Sequence, residues 1–239
     1  MAAIPNARQR ARAALIDDIK AEAFRQLSAR GSAGLTLRAV ARELGMAPSA
    51  LYRYFPGREQ LLTAMIIDSY SDLAGHLEAA AATKEAHRER WLAVCHGLRD
   101  WALAHPHQYA LLYGTTVPGY QAPQDTITPA ARIPLLLLGI ACDAWRTGQL
   151  AQPADEPWPE EVAANAATLA QATGLLDVPP SLLMRAVSAY TQLFGAISME
   201  LFGHLHGAFD NDTVFFDHST ALLADLVGFH TNQAPSTDG

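Results

Sequence analysis

Apolar positions recur at steps of three and four along almost the whole chain, and no segment sustains strand-like alternation between turn signals. The pattern predicts an all-α protein. Leu15, Ile16, Ile19, Ala23, Phe24 and Leu27 form the stripe of a first helix that stops near Gly31 and Gly34. Thr36 offers a side-chain cap to the next helix, where Leu37, Val40, Ala41 and Leu44 occupy the i, i+3, i+4, i+7 positions and Gly45 ends the run. A second short helix is expected after Ala47, with Pro48 in the first turn, where a missing N–H costs nothing; it should run to Phe55 before Pro56-Gly57 breaks the chain. A longer supporting helix followed by two short ones around a tight glycine turn is a helix-turn-helix pattern.

Beyond Gly57 the helices lengthen, to about 58–82, 85–104, 106–113, 129–147, 158–173, 180–206 and 213–229, with Gly/Pro-rich loops at 114–125 and 148–159. The expected organisation is a three-helix head over 1–60, a helical effector-binding and dimerisation bundle over 61–232, and a flexible tail over 233–239. The run IPLLLLGIAC at 133–142 is about half of what a membrane span needs and reads as buried helix.

Charge sharpens this division. The net charge of the 239 residues is −7, yet residues 1–60 hold ten Lys and Arg against five Asp and Glu, a net of +5, and the remainder holds seven against nineteen, a net of −12. A basic end on an acidic body suggests that the end meets a polyanion and the body does not. Half of the residues are apolar and only Cys95 and Cys142 occur, which fits a packed protein of a reducing compartment. The opening MAAIPNARQRARAAL lacks the apolar core and cleavage site of a signal peptide, so a cytoplasmic location is expected, with no membrane partner.

The chemistry of the second short helix follows from its register. At about 100° per residue Leu51 and Phe55 share the buried side, Arg53 and Ser49 point away from it, and Tyr52 and Tyr54 flank. Small Ser49 and Ala50 let the backbone approach base edges, Arg53 suits guanine, and the two phenols suit phosphates on the groove walls. Arg58 adds a charge near the start of the next helix, and Thr36, Arg38 and Pro48 complete the candidate DNA-binding set.

The segment GLTLRAVARELGMAPSALYRYFPGREQLL, residues 34–62, resembles the DNA-binding domain of TetR-type (TetR/AcrR) transcriptional regulators, through Thr36 ahead of the second helix and the ending Leu51-Tyr52-Arg53-Tyr54-Phe55. Ala47 departs from the hydroxyl residue that often caps the third helix there. The C-terminal part resembles a subgroup with a Trp-x-x-x-His-Gly signature: Gly195 and Met199-Glu200-Leu201-Phe202-Gly203-His204 match, while Tyr190 or a near neighbour and Phe194 replace the Trp and His. The resemblance implies a homodimer with two reading heads, a helical domain that binds a small-molecule effector, and repression relieved by that effector.

The residues add to this directly. Segment 181–206 carries Arg185 and Glu200 as its formal charges, so it must be covered on more than one side, plausibly by a twofold mate; Leu193, Ile197, Leu201, Phe202, Leu222 and Leu226 are the interface candidates. Gly195 and Gly203, each costing about 1 kcal/mol inside a helix, suggest close helix approach. Trp91, Cys95, His96, Trp101, Tyr109, Tyr113, Trp145, Phe194 and Met199 are the effector-pocket candidates. Few basic residues in this half disfavour a polyanionic effector. Histidines at 105/107 and 204/206 stand two apart and diverge on a helix, Asp217-His218-Ser219 cannot converge as a triad, and no nucleophile-elbow or phosphate-loop motif occurs, so neither an enzyme nor a metal or cofactor is expected. The competing reading is a helical ligand-binding or interaction dimer whose head no longer reads DNA; steep salt dependence of DNA binding separates the two.

Overall fold

The computed structural model describes residues 6–151 and 159–229, and all its regular elements are helices. The expected tail at 233–239 and the middle of the loop at 148–159 lie outside the described residues. The helices are α1 (Ala7–Gly34), α2 (Leu37–Glu43), α3 (Pro48–Leu51), α4 (Arg58–Ala82), α5 (His87–Ala104), α6 (Pro106–Tyr113), α7 (Ile127–Arg146), α8 (Glu160–Thr173), α9 (Pro180–Leu201) and α10 (Asp212–Val227), with a 3₁₀ turn at Gln124–Thr126 before α7. They form two compact units: residues 1–72 with 105–130, and 73–104 with 131–239.

In the first unit α1 is broken at Gly31, whose φ of 67° is left-handed backbone that glycine adopts without penalty. Thr36 caps α2 by accepting the Ala39 N–H at 3.2 Å, as its position suggested. The turn into α3 is a Schellman closure: Met46 N–H donates to Ala41 O at 2.8 Å and Gly45 N–H to Arg42 O at 3.1 Å, with Gly45 at φ 65°. The core gathers Ile19, Ala23, Leu35, Leu37, Val40, Ala41, Leu51, Phe55, Leu61, Leu62 and Met65. Against it pack Leu111 of α6 and Val117 and Tyr120 of the following loop. Tyr120 also shares a hydrogen bond with Thr63 of α4, 2.9 Å between the hydroxyl oxygens. Residues 105–130 thus belong structurally with the head.

Two expected elements end early. The third helix stops at Leu51 instead of Phe55. Its backbone continues as tight turns, with Arg53 N–H donating to Ala50 O at 3.3 Å and Tyr54 N–H to Leu51 O at 2.9 Å. The long C-terminal helix stops at Leu201 instead of 206, because Gly203 and Gly207 take φ of 77° and 78°. Gly203 is therefore a turn residue, and its conformation explains it without close helix approach. At Gly195 an added Cβ would meet nothing of this chain within 4 Å, so no approach inside the protomer requires it.

In the second unit α5, α9 and α10 pack together, and α8 packs on α9. Gly97 is where the distal half of α4 comes closest to α5: an added Cβ would lie 3.3 Å from Leu77 Cδ2. Trp91 is buried beside Phe229. One polar cluster ties the three helices. Arg99 of α5 donates to both carboxylate oxygens of Glu200 in α9 at 2.7 and 2.6 Å, and to Thr213 Oγ1 of α10 at 3.2 Å. Its guanidinium also lies 5.1 Å from the centre of the Phe216 ring. Both charges are mostly withdrawn from water, their side chains being 10% and 12% exposed, so the bidentate geometry offsets a desolvation cost that either group alone would meet unpaired. Arg99→Ala should destabilise the protein by about 3–5 kcal/mol in denaturant unfolding, while the double variant Arg99→Met, Glu200→Leu should recover most of that loss. A single-variant cost near zero would show that the pair does not brace the unit.

Candidate nucleic-acid interface and effector cavity

A helix of four residues has one turn with which to present side chains, and α3 uses it on both sides. Leu51 is wholly buried and Phe55 nearly so, which fixes the element on the core of the head. The opposite side leaves Pro48, Ser49, Tyr52 and Arg53 exposed, with Ala50 partly covered. Thr36 and Arg38 of α2 are exposed on the preceding element. The small pair Ser49-Ala50 followed by an outward arginine is therefore presented as the register suggested, and it suits approach to base edges in a major groove.

Two of the nine candidates have additional partners. Tyr54 is half-buried, with the Arg12 guanidinium 5.7 Å from its ring centre, so the two phenols are not equivalent flanks: Tyr52 is 43% exposed, and Tyr54 leans on α1. Arg58, half-buried, donates from Nε to Leu35 O at 3.2 Å and so fixes the segment before α2 to the start of α4. Arg12 is a residue that periodicity did not nominate. With Arg8, Ala11 and Leu15 of α1 it faces Met46, Ala50, Arg53 and Tyr54 across a cleft of about 480 Å³. Its signal in the sequence is three arginines in the opening turns of a helix whose first turn has no acid.

In the second unit an apolar cavity of about 390 Å³ lies among α7, α8 and α9. Ala131, Pro134, Leu135, Leu137 and Leu138 of α7, Leu169, Ala172 and Thr173 of α8, and Ala186, Val187 and Tyr190 of α9 line it. The Thr173 hydroxyl donates to Leu169 O within its own helix at 2.8 Å, and among the described residues no carboxylate, amine, guanidinium or imidazole lines the space. None of the nine pocket candidates is in this lining. Trp91, Cys95, Trp101 and Tyr109 are buried as packing, at 1%, 0%, 3% and 0% exposure. Tyr109 and Tyr113 belong to the first unit, their rings 5.2 Å apart. His96 lies 3.6 Å from Asp217 and edge-on to Phe216, Trp145 is half-buried, and Met199 is exposed. The ring of Phe194 lies 4.6 Å from that of the lining Tyr190.

Burial holds both thiols in the neutral form: Cys95 is pushed well above the usual thiol range, and Cys142 up to about 11 despite the opposing charge of Arg146. Gln124–Arg146 is long and apolar enough to cross a membrane by length and composition alone, but several of its apolar residues, such as Ile133 and Ile140, are core positions and others form the cavity wall.

A head that presents a one-turn helix on a buried anchor beside a capped partner helix, joined to a helical body, defines a helix-turn-helix DNA-binding regulator. Residues 19–65 match the family model of bacterial regulatory proteins of the tetR family, and residues 91–223 match that of the tetracyclin repressor-like C-terminal domain. The chain belongs to the TetR family of transcriptional regulators. It is 35% identical over 212 residues to the HTH-type transcriptional regulator Rv1816 of Mycobacterium tuberculosis, covering 86% of this chain and 89% of that one. It is also similar to the crystal structure of the regulatory protein SCO4313, with 33% identity, a TM-score of 0.75 and coverage of 92% and 98%. A tetR-family regulator from Rhodococcus RHA1 shares the fold at 15% identity, with a TM-score of 0.61 and coverage of 90% and 98%.

Arg53→Ala should relax sequence preference, since the side chain points outward from the exposed side of the turn, whereas Arg58→Ala should weaken binding to all duplexes evenly and lower the melting temperature of the head. Mobility-shift titrations on operator and unrelated duplexes, with calorimetry, check this; equal loss of discrimination in both variants contradicts it.

Proposed function

We propose that this regulator is a cytoplasmic repressor that holds a near-palindromic operator as a homodimer and lets go when a small, uncharged, largely apolar effector fills the α7–α8–α9 cavity. Thr36, Arg38, Pro48, Ser49, Ala50, Tyr52, Arg53, Tyr54 and Arg58 carry DNA contact or its support. The observation behind the effector class is the cavity lining. An ionised ligand would meet no counter-charge there and would lose its hydration without compensation, whereas an apolar one gains burial.

The dimer reading rests on exposure. Leu193 and Ile197, two of the six interface candidates, are 0% and 1% exposed within the protomer and so belong to its core, not to an interface. Leu201 is half-buried, but Phe202, Leu222 and Leu226 are 46%, 55% and 37% exposed. Exposed Ser188, Gln192, Gly195 and Met199 lead up α9 to Phe202 at helical spacing, a stripe with small residues in its middle. A second copy packing α9 and α10 against the same helices would bury these residues, give Gly195 the close approach that the protomer lacks, and space two heads for successive major grooves about 34 to 36 Å apart. Effector binding can then act on DNA by changing that spacing.

Operator release should be elicited by neutral apolar compounds and not by carboxylates or phosphates of similar size, and Ala186→Phe should abolish the response while leaving operator binding in place. Anisotropy titration of a labelled operator decides it, and release by the charged set alone would refute the effector class. Leu222→Arg should shift sedimentation toward the monomer and lower operator affinity roughly a hundredfold or more, as the second head loses its tether. An unchanged dimer would remove α10 from the interface.

A further inference from the structure

The opening turns of α1 break two local rules at once. Arg8 and Arg10 stand in the first turn, where the helix dipole favours acids, and that turn has none. Arg8 and Arg12 also sit at i and i+4, the spacing at which like charges repel, and both face Arg53 across the cleft beside α3. Among the described residues no acidic side chain lines that cleft, and no ion pair uses Arg8, Arg12 or Arg53. Three unneutralised guanidiniums converging on one concavity are unfavourable in the free protein and become favourable when an anion enters. A local violation of this kind marks a functional position.

We infer that this cleft is a second DNA-contact site, in which Arg8 and Arg12 clasp a backbone phosphate of the duplex whose bases the α3 turn reads. The site is continuous with that turn, because Ala50, Arg53 and Tyr54 form its other wall. Guanidinium forks match phosphate oxygens in pairs, and Tyr54 serves as the platform that aims Arg12, its ring 5.7 Å from the guanidinium carbon. Arg8 and Arg12 add affinity and set the angle at which the head meets the groove; base choice stays with α3. The inference rests on the reading of α3 as the DNA-facing element.

The test is the salt dependence of binding for the full-length protein on its selected operator and on an unrelated duplex. Each phosphate contact contributes a slope of about −0.9 in log affinity against log salt. The Arg8→Ala, Arg12→Ala variant should flatten the slope by about one on both duplexes and leave the operator-to-unrelated ratio unchanged. Arg10→Ala, which removes an exposed arginine outside the cleft, should change the slope by less than either single cleft variant. Tyr54→Leu should reproduce the Arg12→Ala slope with the arginine still present. Unchanged slopes in the double variant, or an Arg10→Ala effect equal to Arg12→Ala, would overturn the assignment. A slope unmoved on DNA together with loss of inorganic phosphate binding would give the cleft to a free anion and overturn it equally. Wild-type protein that shows no salt-dependent DNA binding would instead remove the reading of α3 itself.

Discussion

Everything the head does depends on the burial of one leucine. A helix of four residues lacks the hydrogen bonds to sustain itself in water, so α3 exists because Leu51 is inserted into the core of the head, together with Phe55. That anchor turns Ser49, Ala50 and Arg53 outward, and the Schellman turn at Gly45 and the Thr36 cap set the entry direction. The chain spends its apolar residues on this face because the other must stay free for DNA.

The same economy explains the charge. An acidic body repels DNA and a basic head attracts it, so attraction is confined to the surface that can read. Two kinds of arginine stand near the third helix. Arg58 gives its Nε to the Leu35 carbonyl and so holds backbone as well as charge. Arg8, Arg12 and Arg53 are left facing one another, an arrangement that stability does not account for. In the body, Arg99 shows the opposite solution, a cation neutralised bidentately by Glu200 where three helices meet.

The helix-turn-helix was legible because each of its signals is local: a cap, a glycine turn, a proline in a first turn and a stripe of four apolar residues. The helix ends at Leu51 and Leu201 were less so. A helical wheel assumes ideal geometry past the point where the backbone tightens, and the left-handed φ of Gly203 and Gly207 is decided by the path the chain must take. The association of residues 105–130 with the head was not legible at all, since it depends on Leu111, Val117 and Tyr120 meeting a core far away in sequence. Leu193 and Ile197 were misplaced for a related reason. Periodicity shows that a helix is apolar on several sides, but which side meets its own domain is a tertiary fact.

The apolar cavity gives the most general lesson. Choosing large aromatics as pocket residues selects the side chains best at filling space, and Trp91 and Tyr109 fill it completely. A cavity persists where side chains are too small to close the gap between helices, which is why Ala131, Ala172 and Ala186 line this one. α7 shows how one helix can serve both ends: Ile133, Ile140 and Ala141 close the core, while Pro134, Leu135 and Leu137 border the empty space. Its first turn, from Ile127, belongs to the unit that holds the head and the remainder to the unit that holds the cavity.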